Sequence, residues 1–241
     1  MYHQINKPPR AQNLAAFEHH LAVISQQHSV VLPGERLPKH RLAVCLTFDD
    51  AYCDFYHKVF PLLQRYRLRA LLAVPVQFIQ TDTEVPSEQR LRISQQYAME
   101  ADLYPRTVPF CTWAELKIMA QSGIVAIASH GMTHCDLTAP GVDLKAELAN
   151  SKSILQHQLG IKVNTFVYPF GKMNREVLRQ TQAYYSYSMR IGSALNWDWD
   201  SRQGLLYRIN ADPYWQEKKT FNRLRQTQYM LNYFKNRLRS R

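Results

Sequence analysis

The chain has 241 residues, 46% of them hydrophobic, and a formal net charge of +11. This supplies a sizeable core and excludes global disorder, and no apolar run approaches the ~20 residues that cross a bilayer. Cys45, Cys53, Cys111 and Cys135 show neither CxxC pairing nor disulfide-framework spacing, and the polar start, Met1 to Arg10, lacks a signal-peptide core; both features suit a reduced, cytoplasmic protein.

In chain order, residues 1–11 read as an irregular lead-in. Leu14, Phe17, Leu21 and Ile24 fall at helical spacing and predict a helix over 14–27, with His19, His20 and His28 as solvated or capping residues. Leu32-Pro33-Gly34 is a turn. Residues 41–48 form a short apolar run that reads as a buried strand, and Asp49 and Asp50 follow where it must end. A helix is expected over 52–66, kinked or split at Pro61, then a strand over 70–75. Residues 80–110 are polar and interrupted by Pro86, Pro105 and Pro109. They read as an excursion with a short helix near 88–101, the kind of segment that serves as a lid or wall. Thr112 and Glu115 form a capping box for a helix that stops at Gly123. Strands at 124–128, 164–168, 184–191 and 205–210 alternate with helices at 142–159 and 173–183. That alternation predicts an α/β fold with a mainly parallel sheet or barrel.

The chemistry gathers at strand ends. Asp49-Asp50, His130 with His134, and Tyr168-Pro169-Phe170-Gly171 each follow an apolar run at once, and in such folds the C-terminal strand ends share one face. Adjacent carboxylates at a core strand end suit a turn or helix cap, and equally a metal or acid–base site. Two His four apart suit a shared divalent ion, and one carboxylate added to them leaves positions open for catalysis.

In this order, Thr47-Phe48-Asp49-Asp50, Ser129-His130-Gly131-Met132-Thr133-His134 and Phe166-Val167-Tyr168-Pro169-Phe170-Gly171 resemble the polysaccharide deacetylases of the NodB-homology group, over about residues 12–211. The resemblance implies a distorted (β/α) barrel of the NodB-homology type with about six to seven parallel strands. It implies a metal-dependent hydrolase that removes acetyl groups from N-acetylated sugars. Asp50, His130 and His134 match the metal ligands, for which Zn2+ is the first choice, with Co, Ni, Fe or Mn as alternatives. Asp49 matches the base that activates the metal's water, and Phe170 the backbone N–H that binds the oxyanion. Tyr168 and Phe170 are candidates to pack on sugar faces or simply to fill the barrel top. Arg208 is a candidate substrate contact or a substitute tether for Asp49.

Three departures from the family pattern stand out. Ala51 replaces a usual Gly, Gly131 replaces a Ser or Thr that would brace its loop, and Val167 stands where many members have an Arg. No His follows His157, so the family's usual C-terminal acid is missing; a protonated Asp49, Asp198 or Asp200 is left to serve. Weak activity on simple chitin fragments is the expectation, and a silent glycan-binding protein on the same scaffold is the alternative.

Residues 215–241 carry eight Lys or Arg and only Glu217 as an acid, with Phe221, Leu224, Leu231, Phe234 and Leu238 as an apolar stripe. They are expected to form a basic amphipathic helix outside the 1–214 domain. It either docks on the barrel or touches an anionic inner-membrane surface. A membrane contact would suit a lipid- or nucleotide-linked glycan precursor. No aromatic-interleaved patch points to nucleic acid.

Overall fold

Ala70 to Val74 are all buried and alternate between two cores, which sets the architecture. Ala70, Leu72 and Val74 join the larger core, together with Leu63, Leu116 and Leu155 of the surrounding helices. Leu71 and Ala73 face Ala128, Val167, Met189 and Leu206 in a smaller core made almost wholly of strand residues. A sheet with helices on one face and its own strands meeting on the other is curled towards a barrel. The computed structural model describes residues 1–5, 10–200, 204–212 and 223–239.

Among them, helix α1 is Arg10–Gln27 and strands β1 (Ser29–Val30) and β2 (Ala43–Val44) form a small parallel pair. The main sheet holds β3 (Leu46–Phe48), β4 (Ala70–Val74), β5 (Val125–Ser129), β6 (Thr165–Val167), β7 (Tyr187–Ile191) and β8 (Leu205–Arg208), all parallel and in sequential order. The expected strand 41–48 is therefore two strands that break at Cys45, one in each sheet. Helix α2 (Phe60–Tyr66) is preceded by a π-helical turn over Phe55–Val59, the split that Pro61 foretold, because its nitrogen has no hydrogen to donate. The single helix expected near 88–101 is instead two short ones, α3 (Ser87–Arg90) and α4 (Tyr104–Thr107). Helices α5 (Trp113–Gln121), α6 (Ser151–Leu159) and α7 (Arg175–Tyr184) alternate with the strands, and α8 is Arg223–Arg239. Both bonds of the Thr112–Glu115 capping box are present.

The 80–110 excursion is fixed as a wall. Buried Arg90 donates to both Glu115 carboxylate oxygens at 2.7 and 2.8 Å and to the carbonyls of Val108 and Phe110 at 2.8 Å each. Tyr52 bridges to Phe110, so the wall abuts the turn after Asp50.

Residues 1–5 are not an irregular lead-in. Tyr2 pairs in parallel with Phe48; its N–H donates to Thr47 O and its carbonyl accepts from Asp49 N, both at 2.9 Å. On the other side the Met1 nitrogen donates to Ile209 O at 2.6 Å, and Ala211 N donates to Met1 O at 2.9 Å. The segment thus fills the gap between β3 and the chain leaving β8. Tyr2 packs against Phe17 and Phe48, and its hydroxyl meets His20 Nε2 at 2.7 Å. His20 is accordingly buried, and burial pulls it down to about 4; it is a neutral anchor, not a solvated or capping residue.

Removing one partner of a buried ion pair strands the other. Arg90→Met should lower the unfolding free energy by about 3–5 kcal/mol in a urea titration.

Candidate metal and active site

The turn after β3 places Asp50 against His130 and His134. The His130 Nε2 and His134 Nε2 atoms lie 3.4 and 3.1 Å from Asp50 Oδ1. One ligand atom from each of the three residues falls within 4.8 Å of the others. His130 Nδ1 lies 2.7 Å from Val167 O. A carbonyl only accepts, so Nδ1 carries the hydrogen and Nε2 presents a lone pair. That lone pair faces a buried carboxylate oxygen that accepts no hydrogen bond among the described residues. Lone pairs converging on one point in a buried site call for a cation between them, and two imidazoles with a carboxylate are a donor set for a divalent transition ion. The residues therefore fit the metal that the strand-end pattern implies.

Asp49 has a different partner. Arg208, on β8, grips both its oxygens, at 2.6 and 2.9 Å, and also reaches Thr47 Oγ1 at 3.3 Å. Burial alone would raise the Asp49 carboxyl, but the Arg208 charge, helped by its hydrogen bonds, outweighs it and holds the group below its ordinary value. Beside this pair stands His3. Its Nδ1 donates to Asp212 Oδ2 at 2.6 Å, its backbone N–H donates to Asp212 Oδ1 at 3.1 Å, and its Nε2 lies 3.9 Å from Asp49 Oδ2. Burial would lower the imidazole, but the Asp212 hydrogen bond with the charges of Asp49 and Asp50 outweighs it, so His3 is raised.

The loops are strained and braced. Asp50, Ala51, His134 and Phe170 all have left-handed backbones, φ 69, 53, 56 and 58°, each of which costs a non-glycine residue about 1–3 kcal/mol. Ala51 thus holds a conformation that Gly adopts freely. Buried Glu147 accepts from Met132 N at 2.7 Å, from Thr133 N at 3.2 Å and from Thr133 Oγ1 at 2.7 Å. It braces the loop between the two His and takes the part of the hydroxyl absent at Gly131. It also requires that glycine: at φ 82°, a Cβ there would stand 2.5 Å from Glu147 Oε2. Lys172 reaches Asp136 at 2.7 Å and ties the Phe170 loop to the His134 loop. The Phe170 ring, 60% exposed, packs edge-on against His134 with centroids 4.8 Å apart.

The family model described as polysaccharide deacetylase matches residues 37–188. The chain belongs to that family. A Bacillus subtilis (strain 168) protein named as a polysaccharide deacetylase, YxkH, is 25% identical over 158 residues, which are 65% of this chain and 47% of that one. The poly-beta-1,6-N-acetyl-D-glucosamine N-deacetylase of Escherichia coli (strain K12) is 34% identical over 97 residues, 40% of this chain and 12% of that one. The chain thus spans less than half the length of these relatives. In fold it is similar to the Streptococcus pyogenes deacetylase PplD, at a TM-score of 0.66 and 20% identity over 95% of each chain. It is also similar to IcaB from Ammonifex degensii, at 0.67 and 20% identity over 86% of this chain and 88% of that one. The expected barrel type stands: a curled sheet of six parallel strands.

Within this deacetylase scaffold the structure brings Asp49, Asp50, His130, His134 and Phe170 together. It does not place Tyr168 or Arg208 for substrate binding. Tyr168 is fully buried and packs on Phe166, facing the helices rather than the mouth. Arg208 is buried and committed to Asp49, so it is the tether that Val167 cannot be. Asp198 and Asp200 flank Trp199, whose indole N–H donates to Glu35 O and whose ring meets Tyr187, at the opposite end of β7 from the site. The sequence reading missed His3, Asp212 and Glu147. Asp212 stands just past the end of β8 and was open to the same strand-end reasoning that singled out Asp49; His3 carries no local signal.

Glu147→Met keeps the side-chain volume but removes the acceptor of the Met132 and Thr133 amides and of the Thr133 hydroxyl. It should weaken Zn2+ binding about 10–100-fold in a chelator-competition titration while the fold is retained. Gly131→Ala should do the same.

Proposed function

We propose that the chain is a metal-dependent deacetylase acting on N-acetylated sugars of a polysaccharide or of a lipid- or nucleotide-linked glycan precursor. The observation that carries this reading is a cation-demanding triad flanked on one side by an ionised carboxylate and a His–Asp pair. Family membership supports amide hydrolysis. The N-acetylglucosamine polymer in the E. coli relative's name supports the substrate class.

Asp50, His130 and His134 would hold the ion, Zn2+ by donor type, which supplies Lewis acidity to water and to the acetamide carbonyl. Asp49, kept ionised and oriented by Arg208, takes a proton from the attacking water. The Phe170 N–H, on the loop beside His134, is the donor for the oxyanion. The leaving amine must gain a proton as its C–N bond breaks, and His3 is placed to give it. Asp212 fixes the tautomer, so Nε2 is the working nitrogen. Acetate and a free amine result. The exposed Phe170 ring offers a face to the sugar. The silent-scaffold alternative drew on the lack of an acid; a His–Asp pair beside Asp49 favours the enzyme.

Acetate release from an N-acetylglucosamine oligomer should vanish with chelation and with Asp49→Asn; release that survives both would sink the reading. His3→Ala should slow turnover about 10²–10⁴-fold.

The pH profile should be bell-shaped. Asp49 is depressed, so the base is lost only as pH falls through its low folded value. His3 is raised, so the acid is lost as pH climbs through its high folded value. A bound cation cancels the Asp50 share of the His3 shift but leaves that of Asp212. Asp212→Asn should therefore move the alkaline limb to lower pH, and Arg208→Met should move the acid limb to higher pH.

A further inference from the structure

Helix α8 docks against the face opposite to that suggested by its apolar residues. Tyr229 and Tyr233 are 6% and 4% exposed, and Tyr233 packs edge-on against Tyr207 of β8 at 6.0 Å. Asn232 Nδ2 donates to Ser193 O at 2.9 Å and Asn236 Nδ2 donates to Gly192 O at 2.7 Å. The expected stripe is not the docked side: Leu231 and Phe234 are 56% and 49% exposed, and Met230 beside them is 40% exposed. Phe221 lies outside the described residues, as do the side chains of Leu224 and Leu238.

Phe234 neighbours both Met230, four residues before it, and Leu231, three before it, so the three span one broad helical face. They share α8 with Arg223, Arg225, Lys235, Arg237 and Arg239, and residues 223–241 contain no Asp or Glu. An apolar face left in water by a helix with no acidic residue calls for a covering that is apolar within and anionic at its rim.

We infer that this face of α8 is a membrane-surface contact. The helix lies in the plane of an anionic bilayer, Met230, Leu231 and Phe234 enter between headgroups, and Lys235, exposed one turn from Leu231, meets the lipid charge. A second copy fits less well, because two such helices face to face would bring like charges together with nothing to neutralise them. Nucleic acid would set phosphates against leucine and phenylalanine. The docking bonds join α8 to Gly192 and Ser193, just past the C-terminal end of β7. Ile191 at that end packs against Gly171, next to Phe170. Helix α8 is therefore anchored at the same end of the sheet as the mouth of the site.

The inference does not rest on the deacetylase reading, because its readout is binding alone. The full chain should co-sediment with phosphatidylcholine vesicles that contain phosphatidylglycerol, not with pure phosphatidylcholine, and less so as salt is raised. Leu231→Asp with Phe234→Asp should cut that binding about tenfold or more while the far-UV spectrum and melting temperature hold. Equal binding by wild type and double variant would overturn the inference, as would no binding to anionic vesicles. A wild-type dimer that the double variant turns into a monomer would assign the face to a second copy instead.

Discussion

Two buried carboxylates on successive residues, Asp49 and Asp50, impose the constraint to which the other site residues answer. Neither could remain ionised away from water without a counter-charge, and one counter-charge between them would leave them equivalent. The fold answers the two differently. Arg208 from the last strand takes both oxygens of Asp49, while Asp50 faces the lone pair of an imidazole whose other nitrogen is pinned to β6, which leaves its counter-charge to a cation held between them. The left-handed turn at Asp50 and Ala51 sends the two side chains to these different partners. Backbone geometry thus gives two adjacent carboxylates different surroundings, one ion-paired and one turned to the imidazoles.

Around that turn, rigidity comes from polar braces more than from packing. Glu147 reaches up from below the His loop, Lys172 clasps Asp136 across the mouth, and Arg90 nails the wall to α5. Each of these spends a charged group on backbone amides, carbonyls or another loop. Loops with four left-handed non-glycine residues need such over-determination to stay in one conformation.

What could be read from the chain was whatever is local. The strand-end motifs, the capping box and the Pro61 interruption rest on neighbours within a few residues, and the structure keeps them. The period of two along a strand could also have shown that Tyr168 shares a face with Phe166, and so points away from the mouth. What could not be read depends on partners far along the chain. His20 looks like a surface residue until Tyr2 is laid beside it. Position 3 has no signature at all, since its role comes from a pairing with residue 212. For α8 the apolar stripe was legible but not the side that docks, because two tyrosines and two asparagines match the β7–β8 edge better than leucine does.

The first five residues, seated between β3 and β8, give the site an order of assembly. His3 and Asp212 are 209 residues apart, and Asp49 and Arg208 are 159 apart. Contacts of that span carry a large loop-closure entropy and form late, after the sequential strand pairs have collapsed. Until residues 1–5 and β8 have both met β3, the growing sheet holds an Asp49 without Arg208 and without His3 beside it. A nascent or partly folded chain therefore has neither the Asp49–Arg208 nor the His3–Asp212 pair, and the polar cluster is assembled only in the step that joins residues 1–5 to β3 and to the chain leaving β8.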